Sequence, residues 1–386
     1  MRTKLYGVGF ALLLTTIWGS AALAQAANPV SPLAAPSVAE LARPIGVSIV
    51  PPPPANFDPL TASTQELARY AIPPAPDARR SPRAYKSWRD AVLVRSGRGA
   101  LNATINQAPT AVQLTPTSIY NRPMQPALRA PAPATAATTA NSTATVFSSN
   151  WSGASVINFK NPLNQESILT EFTVPNARQA LNTCSGQWDF SSFWPGIDGN
   201  GSSDVLQAGI EADAYCSGGN TQSYYSAWIE WYPNAETRVS VPSISPGDLI
   251  YVQVWNATPT TGYAYIANLS TQQASGYYLT APSGTSLVGN SVEWIVERPG
   301  VNNSTATLTN YVGSSWTYGF AWDYTATPVT YYLPGVSAGD ASTLQSIIMQ
   351  DNSGKNINSA NVETSTFLYF QDYGSACSVS NVSPPC

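Results

Sequence analysis

The sequence contains no histidine among its 386 residues. This absence excludes Ser-His and Cys-His nucleophile pairs, histidine general bases and most zinc or iron sites. Phosphate-binding motifs of the GxGxxG and GxxxxGK[ST] types are absent as well. Any catalysis must therefore use carboxylates, amides, hydroxyls or lysine, and we expect neither a cofactor nor a metal site.

Long apolar runs are missing after the N-terminus. There, Arg2 and Lys4 precede an apolar run through Trp18, and small residues follow up to Ala24. This pattern is typical of a secretory signal peptide, residues 1–24, because a membrane span needs about 20 apolar residues. We expect a secreted protein with no membrane partner.

Cysteines are few, but export makes disulfides plausible for all of them. The four cysteines allow three pairings. Proximity along the chain favours Cys184 with Cys216 and Cys377 with Cys386.

Charge divides the chain into two parts. Before residue 146 there are 13 Lys and Arg against five Asp and Glu, and after it there are five against 17. Such an asymmetry suggests that the two parts attract each other. Two segments of the first part have few apolar side chains that a core could bury, the proline run Pro51 to Pro54 and the Ala/Pro/Thr linker Arg129 to Ala144. Residues 25–145 are therefore predicted to be a basic propeptide with its linker.

One helix is predicted within this basic part. Ser81 is its N-cap, Pro82 its first residue, and Gly97 follows its end. Tyr85 and Trp88 share its apolar stripe, and basic residues flank them. We expect this helix to lie over an acidic cleft, which would make the propeptide an intramolecular inhibitor. The alternative is an amphipathic helix of a small accessory domain. Nucleic-acid binding is disfavoured because the remainder of the chain is acidic.

The acidic part, residues 146–386, has the pattern of an all-β sandwich or barrel. Short alternating runs are separated by Gly, Asn and Pro, and nine of the 11 tryptophans lie here. The clearest predicted strands are Ser167 to Val174, Ser223 to Tyr232, Leu249 to Asn256, Tyr263 to Asn268, Ser291 to Glu297 and Ser365 to Phe370. About 240 residues suit one two-sheet antiparallel β-sandwich domain.

Two strands carry polar side chains on one face only. In Ser291 to Glu297, alternation places Glu293 and Glu297 on one face and Val292, Trp294 and Val296 on the other. In Asp204 to Ala212, Gln207 lies on the polar face. The apolar residues on the opposite face of each strand look like core residues. This pattern indicates a sheet with one face on the core and the other face over a groove.

Seven segments resemble the glutamic peptidases, the eqolisin or G1 family of acid endopeptidases. They are SSNWSGA (Ser148 to Ala154), TEFTVPN (Thr170 to Asn176), FWPGIDGN (Phe193 to Asn200), VLQAGIEA (Val205 to Ala212), AWIEWYP (Ala227 to Pro233), ISPGD (Ile244 to Asp248) and VEWIVE (Val292 to Glu297). They occur in family order between about Ser148 and Glu297, and the similarity is looser beyond Gly300.

This resemblance implies a concanavalin A-like jelly roll, a zymogen that acts as a monomer on protein or peptide substrates, and a catalytic pair at Gln207 and Glu297. Glu297 would activate water directly, and the Gln207 amide would stabilise the oxyanion. Four further residues match family positions in the substrate cleft or around the pair: Trp194, Asp198, Trp228 and Glu230. Structural roles remain an alternative for these four, and Glu293 remains an alternative to Glu297 as the working acid.

Other classes explain less of the sequence. No Asp begins the DTG or DSG triplet of aspartic peptidases, and Gly284-Thr285-Ser286 matches the serine-carboxyl peptidase motif in a loop, where a helix is required. The loop from Asp198 to Gly209 lacks the glutamate that ends a calcium loop. A carbohydrate-binding sandwich, or a glycosidase using Glu230 and Glu297, explains the aromatic and acidic residues but not the basic pro-region.

Overall fold

The computed structural model describes residues 46–95, 111–113, 143–159, 165–180, 184, 186–301, 304–311, 314–325, 331–332, 343–364 and 366–373. The predicted signal peptide, residues 129–142 of the linker, and Cys377 and Cys386 lie outside these residues. Neither helix in the described part of the chain has the length and apolar character needed to cross a membrane.

The structure is almost entirely β-sheet. Its helices are α1 (Thr64–Ala68) and α2 (Pro82–Arg95). The strands of the basic part are β1 (Val47–Ile49), β2 (Ala111–Gln113) and β3 (Thr143–Ser148). The strands of the acidic part are β4 (Trp151–Ile157), β5 (Glu166–Thr173), β6 (Trp188–Asp189), β7 (Ser192–Ile197), β8 (Val205–Ser217), β9 (Asn220–Tyr232), β10 (Thr237–Val239), β11 (Leu249–Thr258), β12 (Thr261–Asn268), β13 (Gln273–Thr280), β14 (Ser291–Glu297), β15 (Gly300–Val301), β16 (Ser304–Thr305), β17 (Ser314–Asp323), β18 (Tyr331–Tyr332), β19 (Thr343–Gln350), β20 (Asn356–Thr364) and β21 (Phe367–Asp372).

These strands form two facing layers. We call the first the back sheet, in the order β1-β13-β12-β11-β5-β17-β21. The second, the front sheet, has the order β19-β4-β14-β7-β8-β9-β10-β2. Strand β20 pairs with both β21 and β19 and so joins the layers. Among the described strands every pairing is antiparallel except that of β3 with β19. The predicted two-sheet antiparallel β-sandwich is confirmed.

The hydrophobic core lies between the two sheets. Alternate residues of β8 and β9 face alternate residues of β11 and β12, with Leu206, Ile229, Val252 and Ile266 in one cluster. The rings of Phe172 in the back sheet and Phe193 in the front sheet stack at 6.0 Å. The predicted apolar backs of β8 and β14 belong to this core, so their polar residues face outward.

Strand β14 is attached to the back sheet by a tryptophan. The Trp294 indole Nε1 donates to the Leu169 carbonyl oxygen of β5 at 2.9 Å. A Cβ added to Gly319 of β17 would lie 2.7 Å from this Nε1. The absence of a side chain at position 319 therefore lets the indole reach the neighbouring sheet.

The predicted elements recur with small shifts in their ends. Helix α2 begins at Pro82, as predicted, and β14 has the predicted bounds. Strand β8 runs five residues beyond the predicted end at Ala212, to Ser217. There, a disulfide joins Cys184 to Cys216, with a Cα–Cα distance of 4.6 Å, so the first predicted pairing is confirmed.

The predicted position of helix α2 over an acidic cleft is wrong. Its buried residues, including Trp88 and Val92, form one cluster with Tyr251 and Tyr265 on the outer face of the back sheet. Glu297 faces outward from the other sheet. The physical reason is that the apolar stripe of the helix buries more area on an aromatic surface than on a polar groove.

Replacing Trp294 by Phe is expected to lower the free energy of unfolding by about 1 to 3 kcal/mol, because the buried Leu169 carbonyl loses its indole donor. Urea unfolding measures the change. Trp188→Phe is the matched control, since Trp188 is only half-buried, and we expect a smaller effect there. Equal losses in the two variants would show that the indole contact contributes nothing specific.

Candidate active site

The outward face of the front sheet carries the predicted site residues. Side chains at alternate positions of β14, β7, β8 and β9 form it, and we call it the groove face. The six predicted site residues are each 1% exposed or less: Trp194, Asp198, Gln207, Trp228, Glu230 and Glu297. A polar face this deeply buried requires hydrogen-bond partners for its charged groups.

Glu297 has two identified hydrogen-bond donors at its carboxylate. The Trp194 indole Nε1 donates to Oε2 at 2.9 Å, and the Asn150 side-chain Nδ2 donates to Oε1 at 3.3 Å. Both donors are neutral. They hold the carboxylate in one orientation on the outward face of the front sheet.

Gln207 lies beside Glu230 on the adjacent strand. The two residues pair directly in the β8–β9 register, and Gln207 Nε2 donates to Glu230 Oε2 at 2.5 Å. The carbonyl oxygen of the same amide, Oε1, has no hydrogen-bond partner within the described part of the chain. Glu230 therefore orients the amide, and one amide hydrogen remains for another acceptor.

The strand register separates the two acids of β14. Gly196 of β7 lies opposite both Gln207 and Glu293, whereas Ser192 lies opposite Glu297. Glu293 is thus directly across Gly196 from Gln207, and Glu297 lies four residues further along β14. Trp194 lies between these two rows on β7 and hydrogen-bonds to Glu297.

Glu293 differs from Glu297 in its surroundings. Burial raises the pKa of Glu293 well above its usual value, and repulsion from Asp198 raises it further. Ser155 Oγ donates to Glu293 Oε2 at 3.4 Å. Glu293 therefore holds its proton more tightly than an exposed glutamate, and its position across Gly196 from Gln207 keeps it as the alternative to Glu297 as the working acid.

Asp198 holds the loop that leads into β14. Its carboxylate accepts from the backbone N–H groups of Val288 at 2.5 Å, Gly289 at 2.9 Å and Asn290 at 3.0 Å. Burial nevertheless raises the pKa of Asp198 to about 6, against these donors. The residue acts by positioning the start of β14 and not by contact with Glu297 in the described hydrogen bonds.

Two tryptophans pack together on the groove face. Trp194 and Trp228 belong to one apolar cluster with Trp151 and Ile295, so both have a structural role in the packing of this face. Gly209 makes this possible, because an added Cβ would lie 2.3 Å from the Phe193 carbonyl oxygen and 2.8 Å from Trp194 Cβ.

Two indole N–H groups of the groove face have no partner. Within the described residues, Trp151 Nε1 and Trp228 Nε1 are buried without an acceptor. Buried donors of this kind cost free energy unless a ligand or water satisfies them. They are therefore suited to donate hydrogen bonds to carbonyl oxygens of a bound molecule.

Sequence analysis missed Asn150 and a second acidic cluster. Asn150 lies inside the segment SSNWSGA, and its place in that family-like segment is the signal by which it could have been found. The cluster consists of Glu211, Glu236 and Arg238, with Glu236 Oε1 accepting from Arg238 Nε at 3.3 Å. Burial, followed by repulsion from Asp213, raises the pKa of Glu211 well above its usual value. Ser192 separates Glu211 from Glu297 in the register.

The two-sheet fold and the buried carboxyl and amide groups on one outward face define a class of protein, a β-sandwich with a glutamate-rich polar face. Residues 149–368 match the family model described as the Peptidase A4 family. The chain belongs to this family, and the resemblance to the glutamic peptidases is confirmed.

Curated relatives agree with this assignment. Aspergillopepsin-2 of Aspergillus niger is 32% identical over 166 residues, which cover 39% of this chain and 56% of the relative. Scytalidopepsin B of Scytalidium lignicola is 31% identical over 201 residues, 52% of this chain and 70% of the relative. A crystal structure of scytalido-glutamic peptidase with a transition state analog inhibitor aligns at 23% identity and a TM-score of 0.45, covering 58% of this chain and 98% of that one.

Stability is expected to fall as the pH rises from about 4 to about 6. The pKa of Asp198 is raised from 3.8 to about 6 on folding, so the folded state binds the proton more tightly. The resulting stabilisation is complete below the unfolded pKa and is lost as the pH passes the folded pKa, by about 3 kcal/mol. The pKa values of Glu211, Glu236 and Glu293 shift in the same direction.

Urea unfolding at a series of pH values tests this dependence. Glu293→Gln removes one of the titrating groups and is expected to flatten the curve. Stability that increased with pH across this window would contradict the placement of these carboxyl groups in a buried face.

Proposed function

We propose that the chain is the precursor of a secreted acid endopeptidase that hydrolyses peptide bonds with Glu297 and Gln207. The observation that carries this proposal is the position of the buried Glu297 carboxylate, which the Trp194 indole Nε1 and the Asn150 amide orient at 2.9 and 3.3 Å. Membership of the Peptidase A4 family supports it. So do the names of the two relatives, aspergillopepsin-2 and scytalidopepsin B, both of which contain the word pepsin.

Glu297 acts first as a base and then as an acid. Its carboxylate takes a proton from water while the water oxygen attacks the scissile carbonyl carbon, and the carbonyl oxygen becomes an oxyanion. The protonated Glu297 then gives that proton to the amide nitrogen, and the carbon–nitrogen bond breaks. The products are a carboxylic acid and an amine, and Glu297 regains its starting form.

Gln207 stabilises the oxyanion. Its NH₂ group carries two hydrogens, of which one is donated to Glu230. The second is free to donate to the negative oxygen, and loss of such a donor costs roughly 3 to 4 kcal/mol in hydrolases. Because Glu230 is engaged with this amide, a glycosidase reaction that pairs Glu230 with Glu297 is less well supported.

Substrate binding uses the unsatisfied groups of the groove face. The N–H groups of Trp151 and Trp228 are suited to the carbonyl oxygens of an extended peptide. The indole rings of Trp151 and Trp194 pack with their centres 4.9 Å apart. They offer an apolar surface to substrate side chains. The substrate class is therefore protein or peptide.

The reaction is expected to be fastest in acidic solution. A free glutamate side chain titrates near about 4.3, and the catalytic carboxyl group must be ionised to activate water and protonated to release the amine. Both forms are populated only near its own pKa. A domain free of histidine gains no imidazolium charge in that range, and its buried acids favour the folded state there.

Secretion, the zymogen form and the monomeric state are further parts of this proposal. The signal-peptide pattern of residues 1–24 and the excess of basic residues before residue 146 support them. Cleavage near Asn141 to Ser149 would cut the covalent link between the acidic domain and a basic propeptide that inhibits it.

The two acids of β14 are expected to respond differently to amide substitution. Glu297→Gln should abolish hydrolysis of acid-denatured protein, Gln207→Ala should lower kcat by about a hundredfold to a thousandfold, and Glu293→Gln should retain most of the activity. The assay is acid proteolysis in the presence of pepstatin, with circular dichroism to establish that each variant is folded. Full activity of Glu297→Gln would refute the assignment.

Maturation is expected to occur by self-cleavage in acid. Carboxylates lose their charge near about pH 3 to 4, so any charge pairing of the basic linker with the acidic domain weakens there, while the apolar contacts of helix α2 do not titrate. The measurement is intact mass against time for purified precursor at that pH, with Glu297→Gln precursor as the control. A precursor that stayed intact where mature protein digests substrate would contradict self-activation.

A further inference from the structure

The back sheet has an outer face that is unusually aromatic. Alternate residues of β11, β12 and β17 that point away from the core supply Tyr251, Trp255, Tyr265, Phe320 and Trp322, each 4% exposed or less. Exposed apolar patches of this size are rare on soluble monomers. This face therefore needs a permanent cover.

Residues 46–95 of the basic part provide that cover. They include strand β1, helix α1 and helix α2, and we call them the cover segment. Seven of its apolar residues are 3% exposed or less and belong to one cluster with the aromatic face: Leu67, Ile72, Ala84, Trp88, Ala91, Val92 and Val94. Such complete burial is typical of a domain core and not of a detachable inhibitor.

Directional contacts fix the cover segment in one position. Tyr265 Oη donates to the Ala91 carbonyl oxygen at 2.9 Å, and Gln253 Nε2 donates to the Pro74 carbonyl oxygen at 3.2 Å. Strand β1 adds to the edge of the back sheet by pairing with β13. Gly276 of β13 leaves room, since an added Cβ would lie 2.2 Å from the Ala71 carbonyl oxygen.

Charge contributes little to this interface. Arg83 donates to Glu171 at 2.8 Å with its side chain 51% exposed, and it lies 5.0 Å from the centre of the Tyr318 ring. Lys86 and Arg89 instead pair with Asp90 of the same helix. Because exposed ion pairs are weak and apolar contacts do not titrate, protonation of carboxylates leaves the interface almost unchanged.

We propose that the cover segment stays bound to the back sheet after the propeptide linker is cut, so that the mature protein consists of two non-covalently associated chains. The occupant of the aromatic face is thus residues 46–95 of the same chain. This inference rests on the proposed maturation by cleavage.

The test uses the full chain with a recognition site for an added protease inserted in the Ala/Pro/Thr linker, residues 129–144. Glu297→Gln is included to prevent self-digestion, and the cut by the added protease makes the result independent of the protein's own activity. After cleavage at about pH 7, the sample is passed through a native sizing column at about pH 7 and about pH 3.5, and each peak is analysed by mass spectrometry.

The expected result is co-elution of the cover segment with residues 146–386 at both pH values, and separation only in denaturant. Elution of the acidic domain alone at either pH overturns the proposal. Failure of the proposed peptidase activity would appear only in the proteolysis assay of the uncut wild-type chain, so the two failures are distinguishable.

Matched variants of helix α2 test the surface itself. Trp88→Ala should weaken retention of the cut segment by roughly a hundredfold, because the residue is 1% exposed in the interface. Lys86→Ala, with a side chain 64% exposed, should leave retention unchanged. Gly276→Ala disturbs the same interface from the domain side and should also release the segment. Equal retention in all three variants contradicts the proposal.

Discussion

The contact between the two sheets behind β14 is the constraint on which the candidate site depends. Trp294 reaches across the core to the Leu169 carbonyl oxygen, and Gly319 leaves the space for it. With the apolar back of β14 fixed in this way, strand alternation turns Glu293 and Glu297 outward. Trp194 and Asn150 then determine the orientation of the Glu297 carboxylate, and Glu230 determines that of the Gln207 amide.

Burial raises the pKa values of the carboxyl groups on the polar face and near it. Desolvation raises the pKa values of Asp198, Glu211, Glu236 and Glu293, so these groups favour the folded state most when they are protonated. A protein with this distribution of carboxyl groups is suited to work in acid.

Much of this arrangement could be predicted from the sequence because alternation alone decides which side of a strand faces the core. It correctly assigned the faces of β8 and β14, and the capping pattern located helix α2. The docking surface of that helix could not be predicted, because β11 is apolar on both faces, with Val252 inward and Tyr251 outward. The register that places Glu293 across from Gln207 depends on long-range pairing through Gly196, for which the sequence has no local signal.

The central claim is that Glu297 and Gln207, and not Glu293, contact the reacting atoms. A crystal structure of the mature protein with a peptide-based transition-state analogue, determined at acidic pH, tests it most directly. We predict that the Glu297 carboxylate and Gln207 Nε2 lie within hydrogen-bond distance of the oxygens on the tetrahedral atom. A structure in which Glu293 contacts those oxygens while Glu297 remains bound only to Trp194 and Asn150 would contradict the account.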